Sequence, residues 1–371
     1  MYDNNAEVLL RVENLCQYFK MGRGRELKAV NNVSFDIKKG EVFGLVGESG
    51  CGKTTTGRSI IRLYDITSGN IYFKGQRIAA GTRSYKDAIK NARRSLKEFA
   101  DKCKAEGTDE AKAKLQQKTE EIQAFISEQK KEMASAIHDH KHCDKDLVTK
   151  IQMIFQDPIA SLNPRMTVKE IISEGLVVNG VKDKAYIEEK VYEILELVGL
   201  VREHAGRYPH EFSGGQRQRI GIARSVIMQP DMIIADEPIS ALDVSVQAQV
   251  INLLNELRES LGLTILFIAH DLSVVKYFSD RIGVMYFGNL VELASSDELF
   301  AHPMHPYTRS LLSAIPQPDP HSEKQRRRIT YNAIAEHDYS VDKPSLREIL
   351  PGHFVYCNDA EEKKYKEEFG V

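Results

Sequence analysis

The segment that decides the fold lies at residues 47–54 and reads Gly47-Glu48-Ser49-Gly50-Cys51-Gly52-Lys53-Thr54. It matches the phosphate-loop pattern, in which two glycines enclose four residues and Lys and Thr follow. An apolar run at 41–46 precedes the loop and a helical pattern at 54–63 follows it. This is the strand–loop–helix context that a phosphate loop requires. Since a glycine-rich turn without a ligand would not need the Lys-Thr pair, the sequence predicts a nucleotide site.

The residue types of this loop indicate how it would hold phosphate. Its glycines let the backbone bend, so that successive N–H groups and the helix N-terminus converge on phosphate oxygens. Lys53 is expected to reach the β- and γ-phosphates of ATP, and Thr54 to place its hydroxyl on Mg²⁺. The predicted nucleotide ligands in this region are Gly47, Glu48, Ser49, Gly50, Cys51, Gly52, Lys53, Thr54 and Thr55.

A second part of the site is predicted where Met232-Ile233-Ile234-Ala235 ends in Asp236 and Glu237. Asp236 is expected to hold the Mg²⁺ shell, and Glu237 to polarise the attacking water. Acidic residues after a strand often only cap the next helix. Together with a complete phosphate loop, the pair favours an ATPase.

The rest of the chain predicts an α/β fold. Further strands are predicted at 9–19, 30–37, 69–73, 151–155, 232–235 and 264–268. Helical patterns lie between the later strands, and this alternation argues for a largely parallel sheet that is covered on both faces.

Residues 83–137 interrupt this rhythm and predict an inserted helical hairpin. The apolar positions Tyr85, Ile89, Ala92, Leu96, Phe99 and Cys103 are spaced 4, 3, 4, 3 and 4 residues apart. After a break at 106–109, Leu115, Ile122, Ile126, Met133 and Ile137 are spaced 7, 4, 7 and 4 apart. Each set forms one stripe of a helix. Two helices of roughly 30 Å joined by a short turn should pack antiparallel, along Leu96, Phe99, Ile122 and Ile126. The hairpin could be a solvated addition to the fold or a docking arm for a partner, and the sequence leaves both roles open.

Composition excludes several classes of protein. The 371 residues suggest two or three domains or subdomains, and the net charge of −2 disfavours general nucleic-acid binding. Apolar stretches such as 263–269 are far shorter than the ~20 residues of a transmembrane helix. A polar N-terminus predicts no secretory signal and a cytoplasmic chain. Five scattered cysteines predict free thiols.

One further motif identifies the chain as similar to a known family. The segment Phe212-Ser213-Gly214-Gly215-Gln216 resembles the signature of ATP-binding-cassette (ABC) ATPases, and it lies about 20 residues before the Asp236-Glu237 pair, as in that family. The usual signature Leu is replaced by Phe212, which is also apolar.

The remaining family elements appear in order. Gln156 resembles the Q-loop glutamine, Ser240-Ala241-Leu242-Asp243 the D-loop, and His270 the switch histidine. Phe19 takes the aromatic position that stacks on adenine. Tyr is usual at this position, and Phe keeps the aromatic face that such stacking needs.

The resemblance implies how these residues would act. In the family, the signature reaches the γ-phosphate that is bound by a partner subunit, so function requires a head-to-tail dimer. Ser213, Gly214, Gly215, Gln216 and Asp243 would therefore join the nucleotide ligands. His270 would contact the γ-phosphate, and Gln156 would bind Mg²⁺ and connect it to the membrane subunits.

Three longer segments resemble the peptide-importer branch, and within it the oligopeptide F type. They lie at 156–168, at 236–249, and at 302–316, which reads His-Pro-Met-His-Pro-Tyr-Thr-Arg-Ser-Leu-Leu-Ser-Ala-Ile-Pro. Some relatives carry a Cys-rich tail with a metal cluster, but this tail has only Cys357, so no iron–sulfur cluster is expected. The resemblance implies a cassette at 8–82 and 149–300, the hairpin at 83–137 and a C-terminal extension at 301–371. The cassette would have a mixed-sheet core, an antiparallel β subdomain and an α-helical signature subdomain.

The resemblance also implies partners. These are a sister ATPase subunit or a second copy of the chain, two transmembrane permeases and, indirectly, an extracytoplasmic peptide-binding protein, with the ATPase at the cytoplasmic face of the membrane. An importer for nickel, glutathione or another small solute remains an alternative. A second alternative is a non-transport ABC ATPase that acts on DNA or ribosomes. The single phosphate loop and the short hairpin disfavour it.

The run at 138–143 contains His138, His140, His142 and Cys143. It could bind a transition metal, although a flexible loop is favoured.

Overall fold

A computed structural model describes residues 6–22, 24–106, 108–315 and 328–370 of the chain. Its first sheet is antiparallel and contains β1 (Val8–Lys20), β2 (Glu26–Lys38), β4 (Ser68–Phe73) and β5 (Gln76–Ala80), in the order β2–β1–β4–β5. This sheet lies on one side of the larger, mixed sheet.

The second sheet contains β3 (Val42–Val46), β6 (Ile151–Ile154), β7 (Met232–Asp236), β8 (Thr264–Ala269), β9 (Arg281–Tyr286), β10 (Asn289–Ser295), β11 (Ser345–Leu350) and β12 (His353–Cys357). Its order is β11–β12–β10–β9–β3–β8–β7–β6. The five strands from β9 to β6 are parallel, and β10, β12 and β11 pair antiparallel. The α/β class predicted from the sequence is confirmed, and the antiparallel strands β10, β12 and β11 at one end of the sheet make it mixed.

Helices cover this sheet. They are α1 (Lys53–Ile60), α4 (Lys145–Thr149), α5 (Val168–Val178), α6 (Lys184–Leu197), α7 (Gly214–Val226), α8 (Val244–Leu261), α9 (Leu272–Phe278), α10 (Ser296–Ala301), α11 (Pro306–Ser313), α12 (Ala333–Glu336) and α13 (Asp359–Phe369). No helix of the described residues is long and apolar enough to cross a membrane.

The core shows that both faces of the mixed sheet are buried. Along β8, Ile265 and Phe267 belong to a core that includes apolar residues of α5 to α8. Leu266 and Ile268 belong to a second core, which contains residues of the antiparallel sheet and of α1. Because neighbouring side chains of a strand point to opposite faces, the two cores lie on opposite sides of the sheet.

The predicted inserted hairpin corresponds to α2 (Arg83–Glu106) and α3 (Asp109–Lys141), which pack against each other; Gly107, in the predicted turn, lies outside the described residues. Thr108 caps α3 by accepting a hydrogen bond from the Ala111 N–H. At 1.5 Å per residue, α3 is about 50 Å long, so the predicted length of roughly 30 Å is too short for this arm. Ile122 is buried and Leu96, Phe99 and Ile126 are half-buried, as the stripe predicts.

The C-terminal end of α3 differs from the sequence prediction. Ile137 is 36% exposed, whereas Ala136 is fully buried, so Ile137 is not part of the packed stripe. The reason is that the base of α3 is fastened to the antiparallel sheet: the Arg77 guanidinium binds Asp139 at 2.6 Å and the Ser135 hydroxyl at 2.8 Å. Residues 138–141, expected to be a flexible loop, are therefore the last turn of a helix.

Candidate functional site

The phosphate loop and the residues predicted to hold Mg²⁺ and to act in hydrolysis meet at one edge of the mixed sheet. The phosphate loop follows β3, and His270 follows β8. Asp236 is the last residue of β7, and Glu237 comes directly after it. Gln156 comes two residues after β6. Because these strands are parallel, their carboxyl ends lie side by side, and this edge is where open α/β sheets bind ligands.

The glycines of the phosphate loop are required by its shape. Gly47 and Gly52 have φ values of 148° and 107°. A Cβ at Gly47 would lie 2.2 Å from the Met285 carbonyl oxygen, and one at Gly52 would lie 2.2 Å from the Ala29 carbonyl oxygen. Any other residue at either position would therefore push the loop away from the strands that support it.

Lys53 lies folded back over the loop. Its side chain belongs to the first residue of α1, is 4% exposed, and donates hydrogen bonds to the Gly47 and Glu48 carbonyl oxygens at 2.7 and 2.9 Å. Cys51 Sγ lies 3.8 Å from the ammonium nitrogen, and burial raises the pKa of this thiol. The Lys53 ammonium is thus held at the mouth of the loop, where a phosphate would compete with carbonyl oxygens for it.

Thr54 and Asp236 are joined directly. The Thr54 hydroxyl donates to Asp236 Oδ1 at 2.8 Å, and Asp236 is fully buried. Burial raises the pKa of Asp236, and the bond from Thr54 opposes that effect. Among the described residues, Asp236 Oδ2 has no hydrogen-bond partner. A hydroxyl and a buried carboxylate with a free oxygen are ligands that suit Mg²⁺, so the residues present fit this ion.

Glu237 is the centre of a second group. Its Oε2 accepts a hydrogen bond from Gln156 Nε2 at 2.9 Å and lies 3.3 Å from His270 Nδ1. The backbone of Glu237 has a φ of 46°, which is uncommon for a residue other than glycine, and its N–H donates to the Ile268 carbonyl oxygen at 2.9 Å. The structure therefore brings Glu237 together with His270, which is expected to contact the γ-phosphate, and with Gln156, which is expected to bind Mg²⁺.

The signature segment lies at the start of α7. Ser213 caps this helix with Gln216 in a reciprocal capping box, and Ser213 and Gly214 are exposed. Phe212 is buried and packs edge to face against His204 at 5.1 Å, so its apolar character is used in packing. No hydrogen bond among the described residues joins Ser213, Gly214 or Gly215 to the phosphate loop. Ser213 and Gly214 are accessible at the surface of the chain that carries them.

Two other predicted ligands lie at the margin of the site. Phe19 lies on β1, and its ring packs edge to face against the ring of Tyr64, with the ring centres 5.3 Å apart. Tyr64 comes shortly after the end of α1. Asp243 precedes α8, is exposed, and does not cap the helix with its side chain. The run at 138–143 is not part of this site; in the described residues, no three His, Cys, Asp or Glu side chains are grouped so that they could hold a metal ion.

The phosphate loop also has a contact from the C-terminal part of the chain that was not predicted from the sequence. Tyr307, the second residue of α11, accepts a hydrogen bond from the Glu48 N–H at 3.1 Å through its hydroxyl. The segment around Tyr307 was noted as a family hallmark, but no local pattern indicated that it reaches a loop 259 residues earlier in the chain.

Two family models match parts of the chain. Residues 30–142 and 118–240 match the family described as ABC transporter, and residues 291–341 match the family described as oligopeptide/dipeptide transporter, C-terminal region. The oligopeptide transport ATP-binding protein OppF of Bacillus subtilis is 51% identical over 97% of this chain and 99% of its own. The dipeptide transport ATP-binding protein DppF of Lactococcus lactis is 48% identical over 96% of both chains.

Solved structures share the fold. CbiO1 of Clostridium perfringens, part of the ABC transporter complex CbiONQ, aligns with a TM-score of 0.55 at 24% identity, over 80% of this chain and 92% of its own. A dimeric ATP-binding cassette in a post-hydrolysis state, bound to ADP and Pi, aligns with a TM-score of 0.55 at 24% identity, over 78% of this chain and 99% of its own.

Proposed function

Because the chain belongs to the ABC transporter family of ATP-binding proteins, in its oligopeptide and dipeptide branch, we propose that it binds and hydrolyses ATP to power a peptide importer. The observation that carries this proposal is the grouping of Glu237, Gln156 and His270 beside the phosphate loop. The Glu237 carboxylate can orient a water molecule, and it lies beside the phosphate loop, whose Lys53 ammonium and N–H groups can bind phosphate. Phosphoryl transfer to water requires both kinds of group.

ATP binding is assigned to the phosphate loop and Phe19. The phosphates would replace the Gly47 and Glu48 carbonyl oxygens as acceptors for Lys53. Mg²⁺, when bound, would neutralise charge on the phosphates, and Thr54, Asp236 and Gln156 are the residues that would hold it. The exposed N–H groups of the loop and the N-terminus of α1 would contact the remaining phosphate oxygens.

Hydrolysis is assigned to Glu237. Its carboxylate would orient a water molecule and accept its proton as the water oxygen bonds to the γ-phosphorus and the bond to the β-phosphate oxygen breaks, which releases ADP and phosphate. His270, 3.3 Å from this carboxylate, would contact the γ-phosphate. Gln156 would link the site to the membrane subunits through the segment that follows β6.

The signature supports a dimer. The N-terminus of α7, which carries Ser213, Gly214, Gly215 and Gln216, is exposed at Ser213 and Gly214, and there it can donate to the γ-phosphate held by a facing subunit. Asp243 lies next to Val244, which is strongly exposed, and Tyr277 and Phe287, in the segments after β8 and β9, are also exposed. Such apolar groups suit burial against a second ATPase subunit, which would be a sister protein or another copy of this chain.

A groove next to Gln156 suits a membrane partner. It lies between the end of α1, β6 and α5, and its apolar lining includes Ile61, Val148, Phe155 and Val178. We assign this groove to a helix of a transmembrane permease, two of which would form the channel. The ATPase would then sit peripherally at the cytoplasmic face, and an extracytoplasmic peptide-binding protein would deliver the cargo.

The cargo is tested by transport. The chain, its permeases and its sister subunit would be reconstituted in proteoliposomes, and uptake of labelled tri- to pentapeptides, nickel and glutathione would be compared with and without ATP. ATP-dependent uptake of peptides alone is expected. Uptake of nickel or glutathione without peptide uptake would favour the small-solute importer, and co-purification with ribosomes or DNA instead of permeases would favour the non-transport ATPase.

The helical hairpin is expected to be dispensable for catalysis. Replacing residues 94–121 with a short Gly-Ser linker removes the tip but keeps Ile89, Ile122 and the Arg77–Asp139 anchor at the base. Because no predicted phosphate or Mg²⁺ ligand lies in α2 or α3, ATPase activity of the purified protein should stay within about twofold of the full-length chain, an effect of under ~0.5 kcal/mol on the barrier.

The same variant separates the two roles left open for the hairpin. If it is a docking arm, peptide uptake in proteoliposomes should fall while ATPase activity of the isolated chain persists. Loss of ATP binding in a variant that keeps its melting temperature would contradict the prediction that the hairpin lies outside the nucleotide site.

A further inference from the structure

The peptide group between Gly47 and Glu48 in the phosphate loop is bonded at both ends. Its N–H, that of Glu48, donates to the Tyr307 hydroxyl at 3.1 Å, and its carbonyl oxygen, that of Gly47, accepts from Lys53 Nζ at 2.7 Å. Tyr307 belongs to the C-terminal extension and is 2% exposed. One peptide group therefore separates this extension from the side chain that is assigned to the β- and γ-phosphates.

Tyr307 is itself held firmly. Its own N–H donates to His305 Nδ1 at 3.1 Å, and burial lowers the pKa of His305 to about 3, so this ring is neutral and can accept. The backbone N–H groups of Met304 and His305 donate to the two carboxylate oxygens of Glu292 at 2.7 and 3.1 Å. Glu292 lies on β10 and is fully buried, so the start of α11 is fixed to the mixed sheet.

Neighbouring rings fix the direction of the Tyr307 side chain. Its ring centre lies 4.4 Å from that of Tyr286, at the end of β9, and 5.5 Å from that of Tyr331, in the extension. The residue before Tyr286 is Met285, whose carbonyl oxygen closes off the space beside Gly47. The hydroxyl of Tyr307 is thus aimed at the loop by rings that are themselves half-buried.

We propose that Tyr307 is a positioning residue, through which the C-terminal extension holds the phosphate loop in the conformation that accepts ATP. The proposal rests on ATP binding at this loop. When the hydroxyl is present, the Glu48 N–H is satisfied and its peptide cannot rotate without losing a bond. Without the hydroxyl, other orientations of the peptide become populated, and apparent affinity falls in proportion to the fraction of loops that remain competent.

Tyr307→Phe tests the proposal, because it removes the hydroxyl and keeps the ring. Tyr331→Phe is the matched control: it also removes a hydroxyl from the same ring cluster, but no hydrogen bond of the Tyr331 hydroxyl is found within the described residues. ATP affinity would be measured by fluorescence titration and hydrolysis by steady-state kinetics. For Tyr307→Phe, we expect the Kd and KM for ATP to rise roughly three- to tenfold, as for one lost hydrogen bond.

The other readouts distinguish positioning from a general structural role. The kcat of Tyr307→Phe at saturating ATP should stay within about twofold, because Glu237, Gln156 and His270 are untouched. Unchanged ATP affinity, an equal loss in Tyr331→Phe, or a lower melting temperature with unaltered KM would each overturn the proposal. ATP binding by the unsubstituted chain tests the proposed function separately, since only the ratio between variant and unsubstituted chain reports on Tyr307.

Discussion

Glu237→Gln should bind ATP with nearly unchanged affinity yet hydrolyse it roughly 10²–10⁴-fold more slowly, the range expected for loss of a general base. The amide has the size of the carboxylate and can still contact Gln156, which now lies 2.9 Å away. It cannot accept a proton from water. Lys53, Thr54 and Asp236 keep their places, so the contacts that bind the phosphates persist.

Two measurements would follow the Glu237→Gln variant. Phosphate release gives the rate, and size-exclusion chromatography with ATP should show an accumulating dimer, because the bridging γ-phosphate is no longer removed. Glu256→Gln is a matched control, since this residue is exposed on α8 and lies outside the predicted nucleotide site. Turnover of Glu237→Gln close to that of the unsubstituted chain would contradict the assignment of Glu237 as the catalytic carboxylate.

The parts of the site that could be predicted from the sequence are those written in short segments. A phosphate loop needs its glycines, Lys53 and Thr54 within eight consecutive residues, and the strand before it is uniformly apolar. The Asp236-Glu237 pair and Gln156 likewise follow short buried strands. Once parallel strands are inferred, their carboxyl ends must meet, so the grouping of these residues follows from the fold class.

The parts that could not be predicted depend on contacts between distant segments. Tyr307 and Glu48 are 259 residues apart, and nothing in the spacing of either segment indicates the other. Ile137 fits an apolar stripe by number alone, but Arg77 of β5 binds Asp139 and thereby sets which face of α3 is buried. Strands β11 and β12 were also missed, since they are stabilised by pairing with each other and with β10 rather than by a strong local pattern.

Lys53→Ala should lose ATP affinity itself, in contrast to Glu237→Gln. The Lys53 ammonium supplies charge-assisted hydrogen bonds that are roughly twice as strong as neutral ones. Losing two such bonds to phosphate should weaken ATP binding on the order of 100-fold. The expected signature is a large rise in the Kd for ATP, measured by titration with a fluorescent ATP analogue.

A loss of folding must be separated from this loss of binding. Lys53 is buried, and its removal leaves the Gly47 and Glu48 carbonyl oxygens without their donor, so Lys53→Ala should also lower the melting temperature. Lys53→Met restores most of the side-chain volume without the charge, and Lys39→Ala, at an exposed lysine, is the surface control. If Lys53→Met melts near the unsubstituted chain but still fails to bind ATP, the ammonium is the group that recognises phosphate. If Lys53→Met binds ATP normally, the Lys53 ammonium only stabilises the loop through its carbonyl oxygens. The phosphates must then be held by the backbone N–H groups and the N-terminus of α1.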